Sequence, residues 1–136
     1  MLMRRTTVLS ALGLLSGCGN KWEPAGDFPS PDGRYVASFE YKGSAACCSD
    51  HLRMTMKNGK VGKLDEPVLA IEATNARRPK VSWESGRLIV VELCGATEYD
   101  IKSRIYRGGN IDEDALRIEA ITGDDVERNG KHYCLG

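Results

Sequence analysis

Apolar and polar side chains alternate at every second position along much of this chain, a period that predicts strands rather than helices. Over residues 35–41 the apolar set is Tyr35, Ala37, Phe39 and Tyr41, enriched in aromatic residues and opened by the turn chemistry of Pro31-Asp32-Gly33. Over residues 52–57 it is Leu52, Met54 and Met56, and Asn58-Gly59 closes the run. Each set lies on one face of an extended chain, where it can cover a core.

Further along, residues 67–71 form a short apolar segment that reads as a strand, although residues 69–76 could also make one or two helical turns. Residues 80–84 and 87–93 flank Glu84-Ser85-Gly86 and predict a hairpin with its turn at Ser85-Gly86. Continuous apolarity over 88–93 predicts a strand covered on both faces, hence central in its sheet. Residues 98–106 and 115–122 predict a second hairpin across Gly108-Gly109-Asn110. Asp112-Glu113-Asp114 resembles the acidic first turn of a helix, but Ile118, Ile121 and Thr122 favour strand. Residues 123–136 read as a largely irregular tail with turns at Asp124-Asp125 and Asn129-Gly130. The expected fold is mainly β: a single small antiparallel domain of six or seven strands, as a curved sheet, sandwich or partial barrel, with little helix.

The first 17 residues follow a different logic. Arg4 and Arg5 make a short positive head, an apolar stretch runs to Ser16, and Leu15-Ser16-Gly17-Cys18 follows. The apolar stretch falls well short of the roughly 20 residues a membrane-crossing helix needs. Leu15-Ser16-Gly17-Cys18 resembles the lipobox of bacterial lipoproteins, in which small residues admit the signal peptidase and the cysteine thiol takes the lipid. The resemblance implies that residues 1–17 are a removed signal, that Cys18 carries diacylglycerol on its sulfur and a fatty acyl group such as palmitate on its amine, and that the chain is anchored in the cell envelope. Gly19, in place of an aspartate, implies the outer membrane, facing the periplasm.

Removing 17 residues from 136 leaves 119, enough for one domain with a core. The expected organisation is a lipidated tether over 18–30, rich in Pro, Gly and polar residues, and a domain over 31–136. Trp22 in that tether has two available places, against the domain or among lipid headgroups. The precursor carries 19 basic and 19 acidic residues. Loss of Arg4 and Arg5 leaves the mature chain near −2, with no basic patch that would point to nucleic acid. Arg77-Arg78-Pro79-Lys80 reads as a solvated turn before a strand.

Ser30-Pro31-Asp32-Gly33-Arg34-Tyr35-Val36-Ala37 resembles the turn-and-strand opening of β-propeller repeats, and Val81-Ser82-Trp83-Glu84-Ser85-Gly86-Arg87-Leu88 resembles a hairpin within such a blade. The order also resembles that of small exported bacterial proteins with an SPDG strand opening. The resemblance implies blade-like pieces only, because a propeller needs at least four blades of roughly 40 residues.

With Cys18 assigned to lipid, four of five cysteines remain: Cys47, Cys48, Cys94 and Cys134. An exported chain makes disulfides the default. If the strands alternate simply up and down, all four fall at one end of the domain, and two bridges are expected, each joining one of Cys47 and Cys48 to one of Cys94 and Cys134. His51 and His132 near these cysteines also admit a zinc or copper(I) site, against which stand the missing paired C-x-x-C spacing and the oxidising compartment. Asp112, Glu113, Asp114, Asp124 and Asp125 lack the spaced ligands of a calcium loop. Neither a G-x-S-x-G, nor an H-E-x-x-H, nor a phosphate-cradling glycine loop occurs, so no catalytic residue, metal ligand or cofactor is assigned. The expected function is that of a non-catalytic envelope lipoprotein binding an envelope protein or glycan. A periplasmic hydrolase inhibitor and a metal-handling or redox protein are the alternative classes.

Overall fold

The computed structural model describes residues 21–44, 48–77, 79–105, 115–123 and 126–134, with the backbone alone at 44, 48 and 49. These residues form strands, turns and loops in a mainly β fold without helix. Eleven strands occur among them, more than the six or seven that the alternation predicts. The extra ones are short or polar pieces with no apolar alternation to mark them.

The first sheet holds β1 (Glu23–Pro29), β2 (Tyr35–Ser44), β3 (Cys48–Asn58), β4 (Val68–Thr74) and β7 (Glu98–Ile101), in the order β1-β2-β3-β4-β7, all antiparallel. The second holds β5 (Lys80–Ser85), β6 (Leu88–Glu92), β8 (Arg104–Ile105) and β9 (Leu116–Ile121), in the order β5-β6-β9-β8. A separate hairpin pairs β10 (Val126–Arg128) with β11 (Lys131–Tyr133). One core unites the two large sheets: Tyr35, Ala37, Phe39, Leu52, Met54, Met56 and Ile71 come from the first, Ile89, Val91, Leu116 and Ile118 from the second. Leu52, Met54 and Met56 are buried while His51, Arg53 and Thr55 are half-exposed, so the period-two reading of this strand holds residue by residue.

Residues 23–29 are not tether. They form β1, an edge strand paired with β2 from Glu23↔Tyr41 to Pro29↔Val36. Pro24 and Pro29 hide the strand from a sequence reading, yet an edge strand tolerates prolines because one side of it needs no donors. Phe28 packs edge-on against Phe39 at 5.5 Å, Trp83 Nε1 donates to the Phe28 carbonyl at 3.0 Å, and Ser38 Oγ donates to Asp27 at 2.7 Å. The domain therefore begins at about residue 22, and the link to Cys18 is only a few residues long.

The β1–β2 connection explains Ser30-Pro31-Asp32-Gly33. The Gly33 amide donates to the Ser30 carbonyl, closing a β-turn with proline at its second position and Gly33 at φ +71°. Ser30 is buried, and its hydroxyl accepts from the Tyr35 amide while donating to Asp32 at 2.6 Å. That bond first, then the Arg34 amide, holds the Asp32 carboxyl below the ordinary aspartate value. The backbone at Gly33 and Arg34 lies so close to Gly59 that a β-carbon there would overlap the Gly33 carbonyl oxygen. Gly59 donates its amide to the Arg34 carbonyl at 2.6 Å, so this contact stitches the β1–β2 turn to the loop after β3.

The second hairpin expected across residues 106–114 is divided. β7 pairs with β4 in the first sheet, and β8 pairs with β9 in the second through Arg104↔Arg117 and Ile105↔Leu116. The chain changes sheets at Lys102 and Ser103, whose backbone bonds go to Ala70 and Ile118 respectively. Gly108-Gly109-Asn110 and Asp112-Glu113-Asp114 lie outside the described residues, as do Asp124 and Asp125. β6 and β9 run parallel, with Ile89 beside Ile118 and Val91 beside Ala120, a departure from simple antiparallel order. As the apolar run predicts, β6 is central and Ile89, Val90 and Val91 are all buried. The β5–β6 turn sits at Gly86-Arg87, one residue beyond the expected place, because the pairing slips between Trp83 and Ser85. The segment at 69–76 resolves as β4 and its exit loop.

The C-terminal tail is not irregular. Asn129 and Gly130 both take positive φ, 53° and 75°, as a two-residue turn of the mirror-image type requires. The hairpin they close lies against the outer face of β6 and β9, where Arg128 pairs with Glu119 at 3.4 Å. Val90 and Ile121 face that way and are covered.

Candidate functional site

Two features on the described surface are built by several elements at once: the disulfide end of the domain and a groove on the outer face of the first sheet. Both lie toward the end where β1 starts.

Cys94 and Cys134 are bonded to each other, with Cα atoms 5.4 Å apart. This corrects the expected pairing, in which each joined one of Cys47 and Cys48. The expectation treated the strands as a simple meander, whereas the β10–β11 hairpin folds the tail back along β6 and delivers Cys134 to the turn that follows it. Cys134 takes φ +54°, its amide donates to Glu92 at 3.0 Å, and the Leu93 amide donates to the Ile121 carbonyl at 2.8 Å. The shared end is as expected: the Arg77 amide donates to the Cys94 carbonyl and the Asn75 amide to the Asp50 carbonyl, which joins the Cys94 loop to the start of β3. Cys48 opens β3 opposite Ser44, with only its backbone described. Cys47 and Cys18, the residue expected to carry lipid, lie outside the described residues.

Among the described residues, the group of metal-ligand types within reach of one another is Glu92, Cys94 and Cys134, their ligand atoms within 4.8 Å. Its two sulfurs are spent on each other and offer no thiolate while the bond stands. His51 sits on the outer face of the first sheet between Lys42 and Thr74, and His132 lies in β11 opposite Glu127. Neither histidine belongs to that group.

The groove follows from strand parity. Outward residues of neighbouring strands form rows, Glu40↔Arg53↔Glu72↔Asp100 and Lys42↔His51↔Thr74↔Glu98. Arg53 makes a two-pronged contact with Glu40 at 3.1 and 3.2 Å. Trp22 lies over this surface, its ring centroid 4.2 Å from the Arg53 guanidinium carbon and 5.7 Å from the Lys42 ammonium. Of its two available places, the domain surface is therefore occupied. Between Trp22 and β7 lies an open groove of about 390 Å³, lined by His51, Glu72, Thr74, Glu98, Tyr99 and Asp100 among others. Tyr99, 52% exposed, pairs with the inward-facing Ala73 and so belongs to the other face of the sheet edge. An open polar floor beside the Trp22 ring suits hydrated polar ligands that stack and hydrogen-bond.

The sequence reading names none of the groove's β4 and β7 residues. Its parity in β4 was visible, since Glu72 and Thr74 alternate with Ile71 and Ala73. The missing step was the partner of β7, which the hairpin reading assigned to β9.

Beneath Trp22's end of the sheet, Tyr41 faces inward and donates its hydroxyl to Asp50. Burial first, then that hydrogen bond and the aspartate charge, push its phenol up to about 12. Because the folded value exceeds the unfolded one of about 10, Tyr41's contribution to stability is complete below pH 10 and is lost as pH rises toward 12. Tyrosinate absorbance titration of wild type should show one late-ionising phenol, and Asp50→Asn should bring it down toward the others. Simultaneous ionisation of all phenols in wild type would contradict the Tyr41–Asp50 bond.

Comparison with known protein families, with curated proteins and with solved structures finds no match for this chain. The functional reading therefore rests on the residues themselves.

Proposed function

We propose that the mature chain is a lipid-anchored module of the bacterial envelope, non-catalytic, which binds another envelope component, protein or glycan. The supporting observation is the Cys94–Cys134 disulfide in a chain that opens with Leu15-Ser16-Gly17-Cys18. Disulfides of this kind persist in oxidising compartments such as the periplasm, and the lipobox resemblance supplies both the route there and the anchor. Gly19 favours the outer membrane, with the domain facing the periplasm.

The groove between Trp22 and β7 supports the binding part of the reading. Three carboxylates, a histidine and a threonine beside one aromatic ring offer acceptors, donors and a stacking surface together, as recognition of a polar protein segment or a sugar requires. The alternative of a metal or redox protein that uses all four domain cysteines loses two of its thiolates to the disulfide.

Affinity capture from crosslinked envelopes tests the proposal, with wild type, Cys18→Ala and a Glu98→Ala, Asp100→Ala variant as baits. A specific envelope component should be recovered with wild type, reduced by loss of the anchor and reduced at least about tenfold by the groove variant, the loss expected when two polar anchors of one site are removed. Recovery of nothing specific with any bait, from envelopes in which the protein is abundant, would contradict it.

A further inference from the structure

β1 begins at Glu23, and the proposed anchor is Cys18. Three residues separate Cys18 from Trp22, and the four fully extended steps between them span at most about 14 Å. The polar headgroup layer on each side of a bilayer is itself roughly 5 to 7 Å thick. An acylated sulfur at the inner boundary of that layer thus holds Trp22 within a few ångströms of the headgroups, and the folded domain starts at the next residue. The domain has no slack in which to stand away from the membrane.

The end held there is defined by the strand directions. It carries the start of β1, the end of β2, the start of β3, the exit of β4 at Asn75 and Arg77, the start of β5 at Lys80, and the Cys94–Cys134 bond. Pro79 shares a shallow cleft with Glu23, Pro24 and Tyr41, which brings the residue before Lys80 beside the first residues of β1. The Ser30-Pro31-Asp32-Gly33 turn, Gly59 and Gly86 lie at the opposite end.

On the anchored end the described cations are Lys21, Lys42, Arg77 and Lys80. Of the carboxylates there, Asp50 accepts from Tyr41 and Glu92 from the Cys134 amide, both within the fold. Glu23 and Glu98 are exposed. The half-exposed indole of Trp22 is fixed beside Lys42 by the cation–π stack. An amphipathic ring held among cations is the residue combination that settles at a membrane–water boundary, and each cation near an anionic surface adds attraction.

From this we infer that the disulfide end of the domain, through Lys21, Trp22, Lys42, Arg77 and Lys80, is a docking surface for anionic phospholipid headgroups. The inference rests on lipidation of Cys18. The acyl chains anchor the protein and the docking surface orients it, so that the Ser30–Arg34 turn and the Gly59 loop point away from the bilayer and the groove between Trp22 and β7 opens sideways above it.

The test uses the acylated mature protein in vesicles of phosphatidylcholine and phosphatidylglycerol, with shallow-brominated phosphatidylcholine as a contact quencher of indole. Trp83 donates to the Phe28 carbonyl within the domain, so the Trp22 signal is the emission lost in Trp22→Phe. That signal should be quenched at least about twofold by brominated lipid, and a Lys21→Glu, Lys42→Glu, Lys80→Glu variant should lose most of the quenching while the acylated protein stays on the vesicle. Trp22 emission that responds to aqueous acrylamide and not to brominated lipid would overturn the docking surface. Emission shielded from both quenchers would place a second copy of the chain or another protein on that end, and would also overturn it. The mass of the amino-terminal peptide separates the two layers of the argument: an unacylated Cys18 removes the anchoring reading and the docking surface together, whereas an acylated chain with unquenched Trp22 removes the docking surface alone.

Discussion

Replacing Cys94 and Cys134 together with serine is expected to cost the domain about 4 kcal/mol, from the chain entropy of a loop whose ends lie 40 residues apart. That is a large share of the roughly 5 to 15 kcal/mol by which a domain of this size is stable. The effect should also have a place. β10 and β11 pair with each other and with neither large sheet, so the disulfide, the Cys134 amide bond to Glu92 and the Arg128–Glu119 contact help hold their hairpin over β6 and β9. Without the bond, Val90 and Ile121, now 6% and 4% exposed, lose their cover. Urea unfolding should show the fall in midpoint, and hydrogen exchange should show β10 and β11 opening ahead of β2 and β3. A change under about 1 kcal/mol with unaltered exchange at 126–134 would contradict the bracing role.

Phe39→Ala is expected to cost about 3 to 5 kcal/mol, the range for truncating a buried aromatic in a core that cannot collapse around the space. Phe39 is 1% exposed in the middle of β2, opposite Met54 on one side and Gly26 on the other, and meets Phe28 at an interplanar angle of 89°. The geometry makes the loss more than local. β1 has β2 as its sole neighbour in the sheet, and Phe28 fastens it from within. Weakening that contact should free β1 and with it Trp22, so a fall in thermal midpoint should be accompanied by a shift in Trp22 emission. Leu69→Ala, at a residue 45% exposed, is the control and should change stability by no more than about 0.5 kcal/mol. Comparable losses in the two variants would contradict the assigned core.

The parts of this fold that were legible in the sequence are those in which one face is apolar and the other polar. β2, β3, β5 and β6 follow from alternation, and the central place of β6 follows from its unbroken apolar run. What escaped did so for physical reasons. β1 contains two prolines and owes its strand geometry to an edge position and to Phe28, which no local pattern reveals. β7 is read as a strand within residues 98–106, but its partner escaped, because its exposed run Glu98, Tyr99 and Asp100 pairs with the edge of the distant β4. The C-terminal hairpin was announced by Asn129-Gly130, but its strands are three residues each and were read as loop. The placement of Cys94 and Cys134 at one end was legible; their bond to each other depends on the parallel β6–β9 pairing and the folded-back tail, both long-range. The groove combines the two cases, since His51, Glu72 and Thr74 are fixed by parity while Glu98, Tyr99 and Asp100 arrive only through the pairing of β7.

With Cys18 acylated as proposed, the short link to β1 would make the anchor part of the domain's surface chemistry and not a leash. The bilayer would then close one end of the domain and limit where partners of the groove approach.

Intact-mass and peptide spectrometry of the protein purified from its native membrane tests the central claim most directly. The expected result is a chain beginning at Cys18, carrying diacylglycerol on sulfur and a fatty acyl group on its amine, with Cys94 and Cys134 recovered as one linked peptide. A soluble chain that retains residues 1–17 and bears free thiols at 94 and 134 would contradict it.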